Sequence, residues 1–268
     1  MHDQIDREKA RQAFLDYASG YDMEDPKIRL KTDHTLRVTD LCETIAKSIA
    51  LGGGDADTAW LCGLLHDIGR FEQVRIYHTF RDADSVDHAK LSADLLFQGG
   101  LIRRFTGSPD RDHLIETAIR CHNAFLLPDT LTEEERLFCT ILRDADKIDI
   151  LRVNRETPMT EIYNLPEEAF TETEISDAVY EDMLAHRNVN RAHSRTGIDF
   201  LMGHIAFVFG LVYPVSFTLV RRQGYLDEML SFESRNARTR ERMEIIRNEV
   251  KSFMLEQENR RFRNEVTV

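Results

Sequence analysis

Proline and glycine are scarce in this 268-residue chain, at 6 and 13. An all-β chain of this length needs regularly spaced turn signals, and they are missing. No apolar run reaches the roughly 20 residues needed to cross a bilayer. The opening MHDQIDREKARQ is acidic and polar, where a signal peptide is basic and then apolar, so a cytoplasmic protein is expected. The four cysteines, Cys42, Cys62, Cys121 and Cys139, show no CxxC spacing, which argues against a zinc ribbon or redox pair and leaves them as buried small residues. Positive charge is also in deficit: 35 Lys and Arg against 47 Asp and Glu give a formal charge of −12. Such a surface repels phosphate backbones and anionic lipid, so broad nucleic-acid or membrane binding is not expected, though local basic pockets remain available. The chain also lacks a GxSxG elbow, an HExxH helix, a GxxxxGK[ST] loop and a GxGxxG turn.

What is present is helical periodicity, and the fold class is read as all-α. Val38, Leu41, Ile45 and Ile49 recur at steps of three and four, and LGGGDADTAW ends one helix and starts another behind an Asp cap. The same reading gives helices near 6–20, 26–51, 55–70, 87–98, 111–125, 132–156, 172–187, 196–212 and 224–231. IAFVFGLVYPVSF reads as helix rather than strand because nothing nearby would pair with a lone strand. The C-terminal stretch mixes Arg and Glu around Phe232, Met243, Ile246, Val250 and Met254, the pattern of a long amphipathic helix packed on the body or on a second subunit of a homodimer.

Several polar side chains fall on stripes that should face the core. His66 follows Cys62 by four and Ala59 by seven. His34 lies four after Leu30 and four before Val38. His88 precedes Leu91 by three, His122 follows Ala118 by four, and Asp146 follows Leu142 by four. Asp67 adjoins His66 in LCGLLHDIGRFEQ. Burying an ionised carboxylate or an unpaired imidazole costs several kcal/mol, so such groups need partners, and a metal supplies one. Four imidazoles and two carboxylates suit divalent iron or manganese, with zinc, cobalt or nickel next, whereas calcium and magnesium want nearly all oxygen.

The order His34, His66 with Asp67, then Asp146 resembles the H…HD…D signature of the HD-domain superfamily of metal-dependent phosphohydrolases. DHTLRVTDLC, AWLCGLLHDIGRFEQ, VDHAKLSADLLF, AIRCHNAF and ILRDADKIDIL recur in order over about residues 30–155. The resemblance implies one all-α domain, with an HD core over about 25–160 and a C-terminal helical extension over about 161–268. His88 and His122 resemble the extra ligands of two-metal members. By that likeness His34, His66, Asp67 and Asp146 hold a first ion and Asp67, His88 and His122 a second, with Asp67 bridging as the catalytic carboxylate. Arg37, Arg70 (placed at the start of a loop) and Lys147 are cations that would steady a phosphate, and His78, on a loop, would touch substrate.

The implied reaction is cleavage of a phosphate ester or anhydride in a small molecule or nucleotide by metal-activated water. No GYP motif or paired HHE follows, and IGRFEQ lacks the HDxxED pattern of guanosine-tetraphosphate hydrolases. The layout is similar to that of bacterial diadenosine-tetraphosphate hydrolases, with the substrate left open. Two alternatives share the signature: a mixed-valence di-iron oxygenase of the kind that acts on inositol or aminophosphonates, and a non-catalytic module that binds a nucleotide.

Overall fold

The computed structural model describes residues 5–265, and among them every regular element is helical. None of these helices is long and apolar enough to cross a membrane. The chain packs as two compact units, Met1–Asp146 and Lys147–Val268.

In the first unit α1 (Arg7–Ala18) and α2 (Pro26–Ser48) each start behind an aspartate. Asp6 accepts from Lys9 N and Asp25 from Lys27 N, and Pro26 fills the first turn of α2 where no amide is needed. α3 (Gly53–Leu65) lies so close to α2 that a Cβ on Gly63 would stand 2.8 Å from Thr39 Cα. α4 (Ile68–Tyr77) packs on α5 (His88–Ala93), and α5 on α6 (Asp112–Cys121). A Cβ on Gly69 would fall 2.6 Å from Ser92 N, and the Gly69 amide instead donates to Ser92 Oγ at 2.9 Å. Phe14, Tyr17 and Tyr21 pack around Phe71, anchoring α4 to the N-terminal helix, each aromatic pair adding about 0.5–1.5 kcal/mol beyond its buried area. α7 (Glu133–Glu156) begins at a reciprocal cap: Glu135 N donates to Thr132 Oγ1, and Thr132 N to Glu135 Oε2.

Lys147–Val268 contains α8 (Met159–Tyr163), α9 (Glu168–Thr171), α10 (Asp177–Leu184), α11 (Gly197–Ile205), α12 (Pro214–Gln223), α13 (Tyr225–Leu230) and α14 (Ala237–Glu265). The long C-terminal helix is present, but it starts at Ala237, so Phe232 lies before it. Its Met243, Ile246 and Val250 are buried, and it packs on α10 and α12.

Several expected helices are shorter or divided. The helix placed over 55–70 ends at Leu65, and α4 starts at Ile68, so Arg70 lies in a helix and not at the start of a loop. The stretch 87–98 closes α5 at Ala93 and continues as a wider π turn over Asp94–Gln98. The helix expected to reach residue 125 stops at Cys121, and that over 172–187 is confined to α10. The run IAFVFGLVYPVSF is helical in pieces. A 3-10 turn covers Ala206–Gly210, Leu211 and Tyr213 are extended, and Pro214 opens α12, since proline cannot continue a helix and holds its predecessor extended. Cys121 is only half-buried, whereas the other three cysteines are buried.

Candidate metal centre

His66 and Asp67 occupy the two-residue break between α3 and α4. His66 still has helical torsions, but Asp67 departs to φ −107°, ψ 16°. The last carbonyls of a helix have no amide partners. His66 exploits this by donating its Nδ1–H to Gly63 O at 2.8 Å, and His122, at the end of α6, donates its Nδ1–H to Ile119 O at 2.7 Å, a carbonyl that also accepts from His122 N at 3.4 Å. His88, the first residue of α5, donates Nδ1–H to Asp82 Oδ2 at 2.6 Å. A carbonyl or carboxylate can only accept, so Nδ1 carries the proton in all three rings and each Nε2 keeps a lone pair.

Those lone pairs converge. His66 Nε2 lies 3.3 Å from His34 Nε2, and His88 Nε2 lies 3.0 Å from His122 Nε2. Asp67 divides its two oxygens between the pairs. Oδ2 is 3.6 Å from His34 Nε2 and 3.5 Å from His66 Nε2, while Oδ1 is 3.6 Å from His88 Nε2 and 3.7 Å from His122 Nε2. From α7, Asp146 brings Oδ1 to 3.2 Å from His34 Nε2 and 3.7 Å from His66 Nε2. All six residues singled out from the sequence as ligands therefore come together in Met1–Asp146.

Electrostatics keep the carboxylates charged and the imidazoles neutral. Burial alone would raise the Asp67 carboxyl, but Lys31, His66, Arg70 and His88 outweigh it and hold it well below the usual range. Asp146 is lowered in the same way, its burial outweighed by His34, His66 and His122. Burial is the largest cause lowering His66, and it brings His88 and His122 down to about 4.

This donor set fits divalent cations. Ligand atoms about 2.1 Å from one ion stand about 3.0–3.4 Å apart, close to the spacings here. Imidazole lone pairs facing each other at 3.0 Å repel unless a cation lies between them. Asp67 Oδ1 is buried without any hydrogen-bond donor, an expensive arrangement for an ionised oxygen. Among the described residues three trios satisfy the spacing a single ion needs: His34 with His66 and Asp67, Asp67 with His88 and His122, and, less buried, Asp82 with Asp87 and His88.

Three contacts escape a reading of the sequence. Lys31, one turn before His34 on α2, places Nζ 2.6 Å from Asp67 Oδ2. Asp82 holds His88 and itself accepts from Arg70 Nη1 at 2.9 Å and from Gln73 Nε2 at 3.1 Å. Arg143 donates to main-chain carbonyls around His122. Lys31 stands one turn before His34 and Arg143 one turn before Asp146, a spacing visible in the sequence, whereas Asp82 has none.

The residues expected to meet substrate are more dispersed. Arg70 borders the cluster, with Nε 3.6 Å from Asp67 Oδ1, but its Nη1 is engaged by Gln73, Phe80 O and Asp82. Arg37 is half-buried on α2 one turn after His34. Lys147 donates to Gly210 O at 3.4 Å and lies over the Phe207 ring, both within Lys147–Val268. His78 is the exposed, left-handed cap of α4 at φ 57°, outside the contacts that tie the cluster together.

Residues 32–151 match the family model described as HD domain, a segment that contains all six clustered residues. No curated protein and no solved structure matches the chain. Residues 32–151 are thus identified as an HD domain, a match that covers a little under half of the chain.

Proposed function

We propose that this chain is a two-metal phosphohydrolase that cleaves a phosphate ester or anhydride in a small molecule or nucleotide. The observation that carries the reading is Asp67, a buried carboxylate whose two oxygens face two separate groups of imidazole nitrogens, one oxygen having no hydrogen-bond donor. In this reading His34, His66, Asp67 and Asp146 hold one divalent ion and Asp67, His88 and His122 the other. When bound, such ions supply a water deprotonated near neutral pH and neutralise phosphoryl charge.

The chain's own residues account for the rest. The Nδ1–H bonds to Gly63 O, Ile119 O and Asp82 fix the tautomer and aim each Nε2 inward. Neutral imidazoles stay available as ligands at pH 7 because burial has lowered them. Asp82, held by Arg70 and Gln73, strengthens His88 as a base. Lys31 presents an ammonium at the Asp67 oxygen between His34 and His66, and Arg37 lies one turn beyond His34 on α2. We assign these two cations to the phosphoryl oxygens and Arg70 to positioning.

The test is anaerobic purification followed by metal analysis and a phosphate-release screen over phosphomonoesters, nucleotides and dinucleotides with iron or manganese. Two ions per chain and release of phosphate from one class are expected. Dioxygen uptake by the reduced iron protein without phosphate release would replace the reading with oxygenase chemistry. Silence in both assays would favour a binding module.

A further inference from the structure

We infer that Arg143 is a positioning residue for His122, setting the half of the cluster formed by Asp67, His88 and His122; the inference rests on the metal-centre reading above. α6 ends at Cys121, and the carbonyls of Cys121 and of the turn that follows it lie beyond the regular helical ladder. Arg143 gathers these carbonyls. Its Nη1 donates to Cys121 O at 3.1 Å, to His122 O at 3.2 Å and to Ala124 O, and its Nη2 donates to Phe125 O at 3.4 Å. Within this turn His122 Nδ1–H reaches back to Ile119 O, and Ala124 N donates to Cys121 O at 3.2 Å. The direction of the imidazole therefore follows the path of residues 121–125, and the guanidinium fixes that path.

Arg143 stands on α7 one turn before Asp146. The helix that brings Asp146 to His34 and His66 thus also grips the segment carrying His122, so one rigid element registers both halves of the cluster. A guanidinium offers a planar fork of five N–H donors and a positive charge at the negative end of α6. A lysine ammonium supplies the charge but cannot span the same carbonyls.

The experiment titrates metal-free protein with Mn²⁺ by calorimetry, comparing wild type with Arg143→Lys and Arg143→Gln. In parallel, ¹⁵N NMR records the His122 ring nitrogens without metal. Both variants should weaken the site containing His122 at least about tenfold and leave the other unchanged. Lysine should not rescue it, and the Nδ1–H tautomer of His122 should give way to a mixture. In a His122→Ala background, Arg143→Gln should cause no further loss, which a general loss of stability would not reproduce. Equal weakening of both sites, or unchanged affinities, would overturn the inference. Should wild type take up a single ion, the two-site reading fails on its own. Arg143 is then decided by NMR, where an unaltered His122 tautomer in Arg143→Gln refutes the role and a mixed one sustains it.

Discussion

Mild acid should destabilise the metal-free protein through its histidines before its carboxylates titrate. His88 and His122 stand near 4 in the folded chain, chiefly because they are buried, against about 6.5 in an unfolded chain. Between those values the unfolded chain binds more protons than the folded one, so stability is complete above about pH 6.5 and is lost as pH falls toward 4. Each histidine carries about 3 kcal/mol across this window. Their Nε2 atoms are 3.0 Å apart, so a proton on one opposes a proton on the other and neither relieves its neighbour. A combined loss of about 6 kcal/mol is comparable with the roughly 5–15 kcal/mol that holds a typical domain folded. Asp67, Asp82 and Asp146 act in a lower range. Their lowered carboxyls contribute stability that is present above about pH 4 and is lost only below it. The buried Trp60 of α3 is the chain's one tryptophan, so its fluorescence reports unfolding. Urea melts with chelator at constant ionic strength should lose at least about 3 kcal/mol between pH 7 and 5. A His88→Gln/His122→Gln double variant should flatten that slope. Constant stability down to pH 5, or a double variant that keeps the wild-type slope, would refute the reasoning.

Asp82→Asn keeps an oxygen for His88 Nδ1–H but removes the charge, so the ion at His88 and His122 should bind about 10–100-fold more weakly, about 1.4–2.8 kcal/mol; competition against a chelating dye measures this, and unchanged affinity contradicts the role given to Asp82. Asp67→Asn should empty both sites in elemental analysis of the purified protein, and retention of one ion per chain would show that Asp67 does not bridge. Gly69→Ala forces a Cβ to within 2.6 Å of Ser92 N, a backbone atom, and should lower stability by about 1–3 kcal/mol in urea melts at pH 7.5. An unmoved midpoint would mean that α4 does not depend on that close approach to α5.

Five of the six clustered residues were legible because each is a polar side chain where a helical stripe should be apolar, an anomaly that needs no knowledge of the partner, and Asp67 was legible from its place beside His66. The all-α class was legible for a related reason, since the three- and four-residue steps of Val38, Leu41 and Ile45 repeat over long segments with few breakers. Asp82 and Arg143 carry no such anomaly. A charged residue in RDADS or ILRDADK has the composition of a solvated surface, and only the packed chain reveals that one orients His88 and the other holds the end of α6. Lys147 errs in the opposite direction. Its place beside Asp146 suggests a phosphate contact, but successive helical residues project about 100° apart, and its ammonium goes to Gly210 O.

The division between α3 and α4 was hidden for a different reason. Leu64, Leu65, Ile68 and Phe71 are all fully buried and keep nearly helical spacing straight through the break, so periodicity reads one helix where there are two. Glycine and proline, the usual markers of a helix end, are absent from residues 64–68. The break coincides instead with the residue whose side chain must reach two places. In an unbroken helix Asp67 would share one axis with His66, and its carboxylate would be confined to one side of that axis. With φ −107° and ψ 16°, the Asp67 backbone leaves the helix, and its carboxylate lies with one oxygen toward His34 and His66 and the other toward His88 and His122. The apolar pattern encodes burial on both sides of the break, and the geometry at Asp67 turns a pair of adjacent polar residues into a joint between two groups of ligands.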